Sequence, residues 1–304
     1  MNLHYHSNGK LLLTGEYAVL DGALALGLPC SMGQGLTIEK QKEGGLIWKS
    51  LDHKGKSWFE TRFEVLELSG DMHKASTSDI RGTLLNILQG AIQLNPDFLS
   101  RLQGQMAISK LEFPRDWGLG SSSTLINNVA QWAAVDPYQL LWNSFSGSGY
   151  DIACAQHNQP LTYQLKGQKP QIRLLPFKLP FSAELFFVHL NRKQNSREGI
   201  TRYNRVIANQ RHFIEEISTI TREVAACRDS RVFEELLLQH EILLSEAIQL
   251  TRIQDQLFPD FKGFIKSLGA WGGDFVLAMG TSKIPEYFTS KGYSTVLSYD
   301  DLVL

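Results

Sequence analysis

The stretch "DWGLGSSSTLINN", Asp116 to Asn128, places two glycines and three consecutive serines between two different sequence patterns. Before it, "MAISKLEF" (Met106 to Phe113) alternates apolar and polar residues as a half-buried strand does. After it, Leu125, Val129 and Trp132 or Ala133 recur at helical spacing. The reading is a strand-loop-helix junction whose loop is built from small residues. Backbone N–H groups at a helix N-terminus, together with the helix dipole, attract anions, and glycine lets a phosphate approach the main chain. Serine hydroxyls at such a turn can also meet phosphate oxygens or a magnesium ion.

Better-known phosphate loops do not fit. A Walker loop needs a Lys-Ser or Lys-Thr pair, which is absent, and Ser123 stands where a dinucleotide-binding loop has its third glycine. A nucleophile elbow would match Gly120 and Ser122 but meets Thr124 in place of its last glycine. The strand-turn-helix context suits that elbow, and Ser122, Asp151 and then His189 or His240 follow the chain order of a hydrolase triad. Against both stands a loop that only makes a tight turn and caps a helix.

Working outward, the first third reads as β-rich, with strands at "KLLLTGE", "GLTIEKQ", "GLIWKSL" and "SWFETRFEVLEL". "SDIRGTLLNILQGAIQL" reads as a helix capped by Ser78 or Asp79 and stopped at Asn95 to Asp97. "DPYQLLWNSFSG" is helix-like and leads into "SGSGYDIACAQ"; strands follow at "LTYQLKG", "QIRLLPF" and "ELFFVHL". Residues 199–227 and 230–251 form two long amphipathic helices, and the tail reads as strand, helix, strand. With 304 residues two domains are expected, and Pro176 and Pro180 mark the boundary: residues 1–178 and 179–304, in an α+β fold.

Composition excludes some functions. At 43% hydrophobic and 20% charged residues with a formal charge of -1, nothing suggests a basic nucleic-acid footprint. The three cysteines, Cys30, Cys154 and Cys227, are dispersed and odd in number, which argues against a disulfide framework and fits a reducing cytoplasm. The sequence shows neither a signal-peptide pattern nor an apolar run of membrane-spanning length, so no membrane partner is expected. His4 with His6, and Cys154 with His157, have no further ligand nearby in sequence and are read as packing or surface residues.

The loop is accompanied by two other blocks. "SNGKLLLTGEYAVLDGALALGLP" (Ser7 to Pro29) carries Lys10 before an apolar strand and Glu16 after it, and "SLGAWGGDFVLAMG" (Ser267 to Gly280) supplies a second glycine-rich turn. In order and spanning nearly the whole chain, these blocks resemble the GHMP kinase superfamily, and most of all its mevalonate and phosphomevalonate kinases. The first resembles the "PGK-hydrophobics-GEHAV" opening, the second the "GLGSSxA" phosphate loop with Pro114 as its leading proline, the third the "GAGxGG" closing loop. "SGSGYDIACA" (Ser146 to Ala155) is similar to the segment that carries the catalytic aspartate, here Asp151.

The resemblance implies a two-domain GHMP kinase fold, with a ribosomal protein S5 domain 2-like N-terminal domain, a ferredoxin-like C-terminal domain and the ATP site between them. It implies ATP and Mg2+ as cofactors and a small-molecule substrate, mevalonate or a close relative, for a cytoplasmic monomer or homodimer. By carry-over, Gly118, Leu119, Gly120 and the amides of Ser121, Ser122 and Ser123 hold the ATP phosphates, and the Ser122 hydroxyl touches the metal. Asp151 orients the acceptor oxygen with Lys10 beside it, while Glu16, Gly272, Gly273, Asp274, Ser196 and Arg197 support the nucleotide or substrate. Phosphomevalonate is a second candidate acceptor. Two rival functions are a GHMP-like ligand-binding protein without turnover and a hydrolase using Ser122. Departures from the pattern are Asn8 for the opening proline, Tyr17 for the histidine of "GEHAV", Trp271 for a small residue, and no acid between Tyr138 and Tyr150.

Overall fold

The computed structural model describes residues 2–70, 79–176, 179–192, 196–206, 211–269, 271, 273–280 and 283–304. By contacts the chain forms two discontinuous units: Met1–Gly9, Met32–Arg115 and Gly120–Gln156 make the first; Lys10–Ser31, Asp116–Leu119 and His157–Leu304 make the second. Two long strands, β1 (Leu3–Thr14) and β2 (Ala25–Lys40), contribute residues to each. The boundary expected near residue 178 falls at 177–178, outside the described residues.

In the first unit follow β3 (Leu46–Leu51), β4 (Ser57–Phe63), α1 (Val65–Leu68), α2 (Ile80–Leu94), α3 (Phe98–Leu102), β5 (Gln105–Leu111), α4 (Ser121–Ala133), α5 (Pro137–Ser144) and α6 (Tyr150–Gln156). Its strands run in the order β4-β3-β5-β2, with β3 and β5 parallel and the other pairs antiparallel. Asp79 caps α2 through Gly82 N, and Asp136 caps α5 through the amides of Tyr138 and Gln139, as short polar side chains do at a helix start. The strand expected through "FEVLEL" stops at Phe63 instead. Glu64 and Glu67 form a reciprocal capping box there, which satisfies the first amides and turns residues 65–68 into a short helix. Helix α4 packs against α2, α5 and α6, and its Trp132 meets Phe98 edge-on at 5.0 Å.

The second unit continues with β6 (Leu161–Lys166), β7 (Lys169–Leu174), β8 (Leu185–His189), α7 (Ser196–Val206), α8 (Arg211–Ala226), α9 (Ser230–Ile248), α10 (Ile253–Leu257), β9 (Phe264–Ser267), β10 (Phe275–Met279), α11 (Ile284–Ser290), β11 (Val296–Ser298) and α12 (Tyr299–Leu302). The hairpin β6–β7 pairs with residues 25–27 of β2, and a separate antiparallel sheet runs β11-β8-β10-β9. Of the single long helix expected over 199–227, residues 207–210 lie outside the described residues. Strand β9 has no clear sequence signature, because all four of its residues, Phe264, Ile265, Lys266 and Ser267, are buried and show no alternation. One apolar core joins Tyr17, Tyr203, Phe213, Leu244 and Trp271; another joins Val188, Phe258, Val276 and Phe288.

Candidate functional site

In the first unit, Gly120 is the N-cap of α4 at φ +87° and ψ +39°, a left-handed conformation that glycine adopts without penalty. It brings no side-chain oxygen to the cap, and the first-turn amides of a helix have no acceptor within the helix itself. Its carbonyl accepts the Thr124 amide at 3.0 Å and the Ser123 hydroxyl at 2.8 Å, so Ser123 turns inward and is buried. Ser122 is exposed and its hydroxyl has no hydrogen bond among the described residues. Asp151 lies half-buried in the first turn of α6, which packs on α4; its Oδ1 accepts the Ile152 amide at 3.1 Å.

A buried polar network fixes where α4 begins. Thr124 Oγ1 donates to Gln34 Oε1 at 2.5 Å, and Gln34 Nε2 donates to Ser109 Oγ at 2.6 Å. Asn128 Nδ2 donates to Gln34 O at 2.8 Å, and Asn128 Oδ1 accepts from Ser7 Oγ at 2.7 Å; Asn127 Nδ2 donates to Ser7 Oγ at 2.8 Å. A network in which most members are satisfied is a rigid way to hold a helix terminus. Of these residues the sequence reading singled out Thr124 alone, as a mismatch to a nucleophile elbow; Thr124 and the pair Asn127-Asn128 are unusual polar positions on the buried face of an amphipathic helix.

In the second unit the loop's other end is sewn down. Lys10 donates its main-chain N–H to Leu119 O at 3.0 Å and its Nζ to Gly118 O at 2.9 Å. Leu119 is fully buried, and Trp117 stacks edge-on against Phe275 at 5.5 Å. Gly118, at φ +67°, lies so close to the Asp274 carboxyl that a Cβ there would overlap it. Asp274 is itself left-handed at φ +47°, its N–H donating to Arg192 O at 3.0 Å and its carbonyl accepting Leu190 N at 2.7 Å. Lys10, Gly118, Leu119 and Asp274 are thus brought together. Gly273 is buried, Gly272 lies outside the described residues, and Ser196 and Arg197 open α7 with side chains outside them.

Glu16 occupies a different setting. It is 1% exposed, and Lys266 from β9, itself fully buried, donates Nζ to its Oε1 at 2.6 Å. Glu241 of α9 stands 3.7 Å from the same ammonium and accepts the Ser267 amide at 3.0 Å. His240 accepts the Gly15 amide on Nε2 at 2.9 Å, which requires the neutral ring, and that nitrogen lies 3.5 Å from Glu16 Oε2. Burial pushes the Glu16 carboxyl up to about 7 against the pull of Lys266, raises Glu241, and holds His240 well below the ordinary histidine value. Lys266 and Glu241 were not found by sequence reasoning, and His240 entered it only through the chain order of a hydrolase triad.

The histidines proposed for that triad have other engagements. His189 is buried, with Nε2 3.3 Å from Asp116 O and Nδ1 accepting the Asn191 amide at 3.3 Å, so both ring nitrogens are taken. His240 has the neighbours just described. Among the described residues no group of three or more His, Cys, Asp or Glu could hold a metal ion, and no helix is long and apolar enough to cross a membrane.

No family model matches the sequence, and no curated protein matches it significantly. Solved structures do. The phosphomevalonate kinase of Streptococcus pneumoniae superposes at a TM-score of 0.70 with 19% identity, covering 98% of each chain. The same enzyme in complex with phosphomevalonate and AMPPNP gives 0.69 at 17% identity over 95% of each chain. The mevalonate kinase of Methanococcus jannaschii gives 0.69 at 17% identity, covering 96% of this chain and 94% of its own. This chain has the GHMP kinase fold. In this chain Tyr17 takes an unusual backbone of φ 60° and ψ −49°. Its hydroxyl accepts the Trp271 amide at 3.2 Å, its ring stacks on Tyr203 at 5.9 Å, and a Cβ at residue 199 would collide with it. Trp271, 3% exposed, fills the core beside Tyr17 in this GHMP kinase fold.

Proposed function

We propose that this protein is an ATP- and Mg2+-dependent kinase that transfers a γ-phosphoryl group to mevalonate, with phosphomevalonate as the second candidate acceptor. One observation carries the reading: a left-handed glycine, Gly120, heads the 13-residue helix α4 with no side-chain cap, next to the unpartnered hydroxyl of Ser122. That arrangement presents main-chain donors to an anion and leaves no side chain of the loop to compete for them.

Phosphoryl transfer needs positioning and charge neutralisation more than covalent help. The amides of Ser121 to Ser123 bind the phosphate tail of ATP, while the left-handed turns at Gly118 and Gly120 give the loop its shape. Asp151 orients the acceptor oxygen and takes its proton, and Lys10 offsets the negative charge that develops. A magnesium ion bound with ATP keeps waters and phosphate oxygens in its shell, so few protein ligands suffice. The Ser122 hydroxyl and the Asp151 carboxylate, both in the first unit, are the groups that fit it. It would neutralise the phosphate charge.

The solved structures of similar fold include a mevalonate kinase and a phosphomevalonate kinase, which supports this acceptor class without choosing between the two. The test is ADP release by the purified chain over mevalonate, phosphomevalonate, homoserine and galactose. The expected result is turnover with mevalonate or phosphomevalonate that requires Mg2+. ATP binding without turnover on any acceptor would refute the kinase reading, and ATP-independent ester cleavage abolished in Ser122→Ala would replace it with a hydrolase.

A further inference from the structure

The second unit contains a cavity of about 790 Å3 between the hairpin β6–β7 and the C-terminal end of α8. Its size is in the range of small-molecule sites. Its floor is apolar, with Leu24, Ile172, Leu175 and Ala225 among its lining residues. Its polar lining combines the neutral Thr162, Gln164 and Gln171 with three cations: Arg173 comes from β7, Arg222 from the end of α8, and Arg228 from the connection to α9. No Asp or Glu is among its described lining residues, in a chain whose formal net charge is -1.

The three arginines are not equivalent. Arg228 gives one N–H to Cys227 O at 2.7 Å, and Arg222 gives one to Thr219 Oγ1 at 2.9 Å. The Arg173 side chain has no hydrogen bond or ion pair among the described residues. A guanidinium carries five donors in a fixed fork, so these contacts leave most donors of Arg173 and Arg222 for a ligand. A single carboxylate has two oxygens to offer; a phosphate monoester has three, with up to two negative charges, and matches several guanidinium groups better. An apolar floor beside that charge asks for an apolar body on the same molecule.

We propose that this cavity binds a small soluble phosphomonoester carrying a short apolar chain, at a site separate from the α4 loop. The proposal does not depend on the kinase reading. The experiment is calorimetric titration of the full chain with n-hexyl phosphate, inorganic phosphate and n-hexanol. It is repeated on Arg173→Gln/Arg222→Gln and on Ala225→Glu, which places a carboxylate in the lining from a half-buried helical position. Hexyl phosphate is expected to bind saturably, and both variants to weaken it by about tenfold or more while keeping the melting temperature. Inorganic phosphate and hexanol should each bind more weakly than the combined ligand. Equal affinity for hexyl phosphate in wild type and both variants would overturn the proposal, as would hexanol binding as tightly as hexyl phosphate. Sedimentation with phosphatidylcholine vesicles containing phosphatidic acid separates a lipid source. Co-sedimentation lost in the double arginine variant would assign the phosphate to a membrane headgroup and overturn a soluble ligand; none is expected.

Discussion

Replacing Lys266 by methionine should reveal the buried ionic cluster through its pH dependence. Lys266 is fully buried, 2.6 Å from Glu16 and 3.7 Å from Glu241, and has its third contact with Ser267 O at 2.9 Å. Methionine keeps most of the unbranched stem, one atom shorter, and loses the charge, stranding two buried carboxyl groups. Breaking a buried pair from one side costs about 3–5 kcal/mol. The stranded groups can reduce that cost by taking up protons, which ties the loss to pH.

In the wild type, Glu16 ionises at the ordinary 4.5 when unfolded and at about 7 when folded. Between those values the folded state holds the extra proton. Its contribution therefore favours folding fully below the unfolded value and is lost as pH rises to about 7, after which the Glu16 contribution is constant. Without Lys266 the folded carboxyl keeps its proton to higher pH, so the variant goes on losing about 1.4 kcal/mol per pH unit above about 7 while the wild type does not. From about pH 7 to about pH 8.5 the gap between them should widen by roughly 2 kcal/mol. Urea midpoints followed by tryptophan fluorescence would measure it, with Trp271 a reporter inside the second unit. Lys266→Met/Glu16→Gln should remove most of the widening. A gap that stays constant over that interval, or a total loss below about 1 kcal/mol, would show that the cluster is not held together by the Lys266 charge.

Further outcomes follow from the same geometry. Asp151→Asn should lower phosphoryl transfer by about 10²–10⁴-fold, with ATP affinity measured by titration changing only a few-fold. Gln34→Leu leaves the Ser109 hydroxyl without its partner, while Thr124 Oγ1 keeps the Gly120 and Ser121 carbonyls as acceptors, and should destabilise by about 1–3 kcal/mol in urea unfolding, against near-neutrality if the network were idle. Gly118→Ala puts a side chain at φ +67° and onto the Asp274 carboxyl, so a loss of at least about 1–2 kcal/mol is expected. Gly118→Ala/Asp274→Gly should recover the part due to overlap, and no recovery would place the whole effect in the backbone.

The strand-loop-helix junction was legible because its determinants are local. Alternation over β5, the periodicity of α4 and the two glycines each specify their own few residues; β5 spans Gln105–Leu111 where Met106 to Phe113 was expected, and α4 already starts at Ser121, before the periodic residues from Leu125 on. The cap at Asp79, one of the two candidates with Ser78, was readable for the same reason. "FEVLEL" misled because apolar residues flanking two glutamates fit a strand, whereas a reciprocal bond between Glu64 and Glu67 favours a helical turn. Strand β9 escaped because a strand buried on both faces has no period, and Lys266 within it looks like an ordinary polar position.

Sequence by itself determined the α+β character, the glycine turns around Gly118 and Gly120 that lead into α4, and the start of α2, all properties of neighbouring residues. Tertiary structure alone decided that Glu16, a turn carboxylate by its sequence, would share a buried site with Lys266 and Glu241, more than two hundred residues away. It likewise assigned Lys10–Ser31 to the unit built from the C-terminal half. The physical reason is that the energy of a buried charge depends on which groups long-range packing brings within a few ångströms, and no local pattern records that distance.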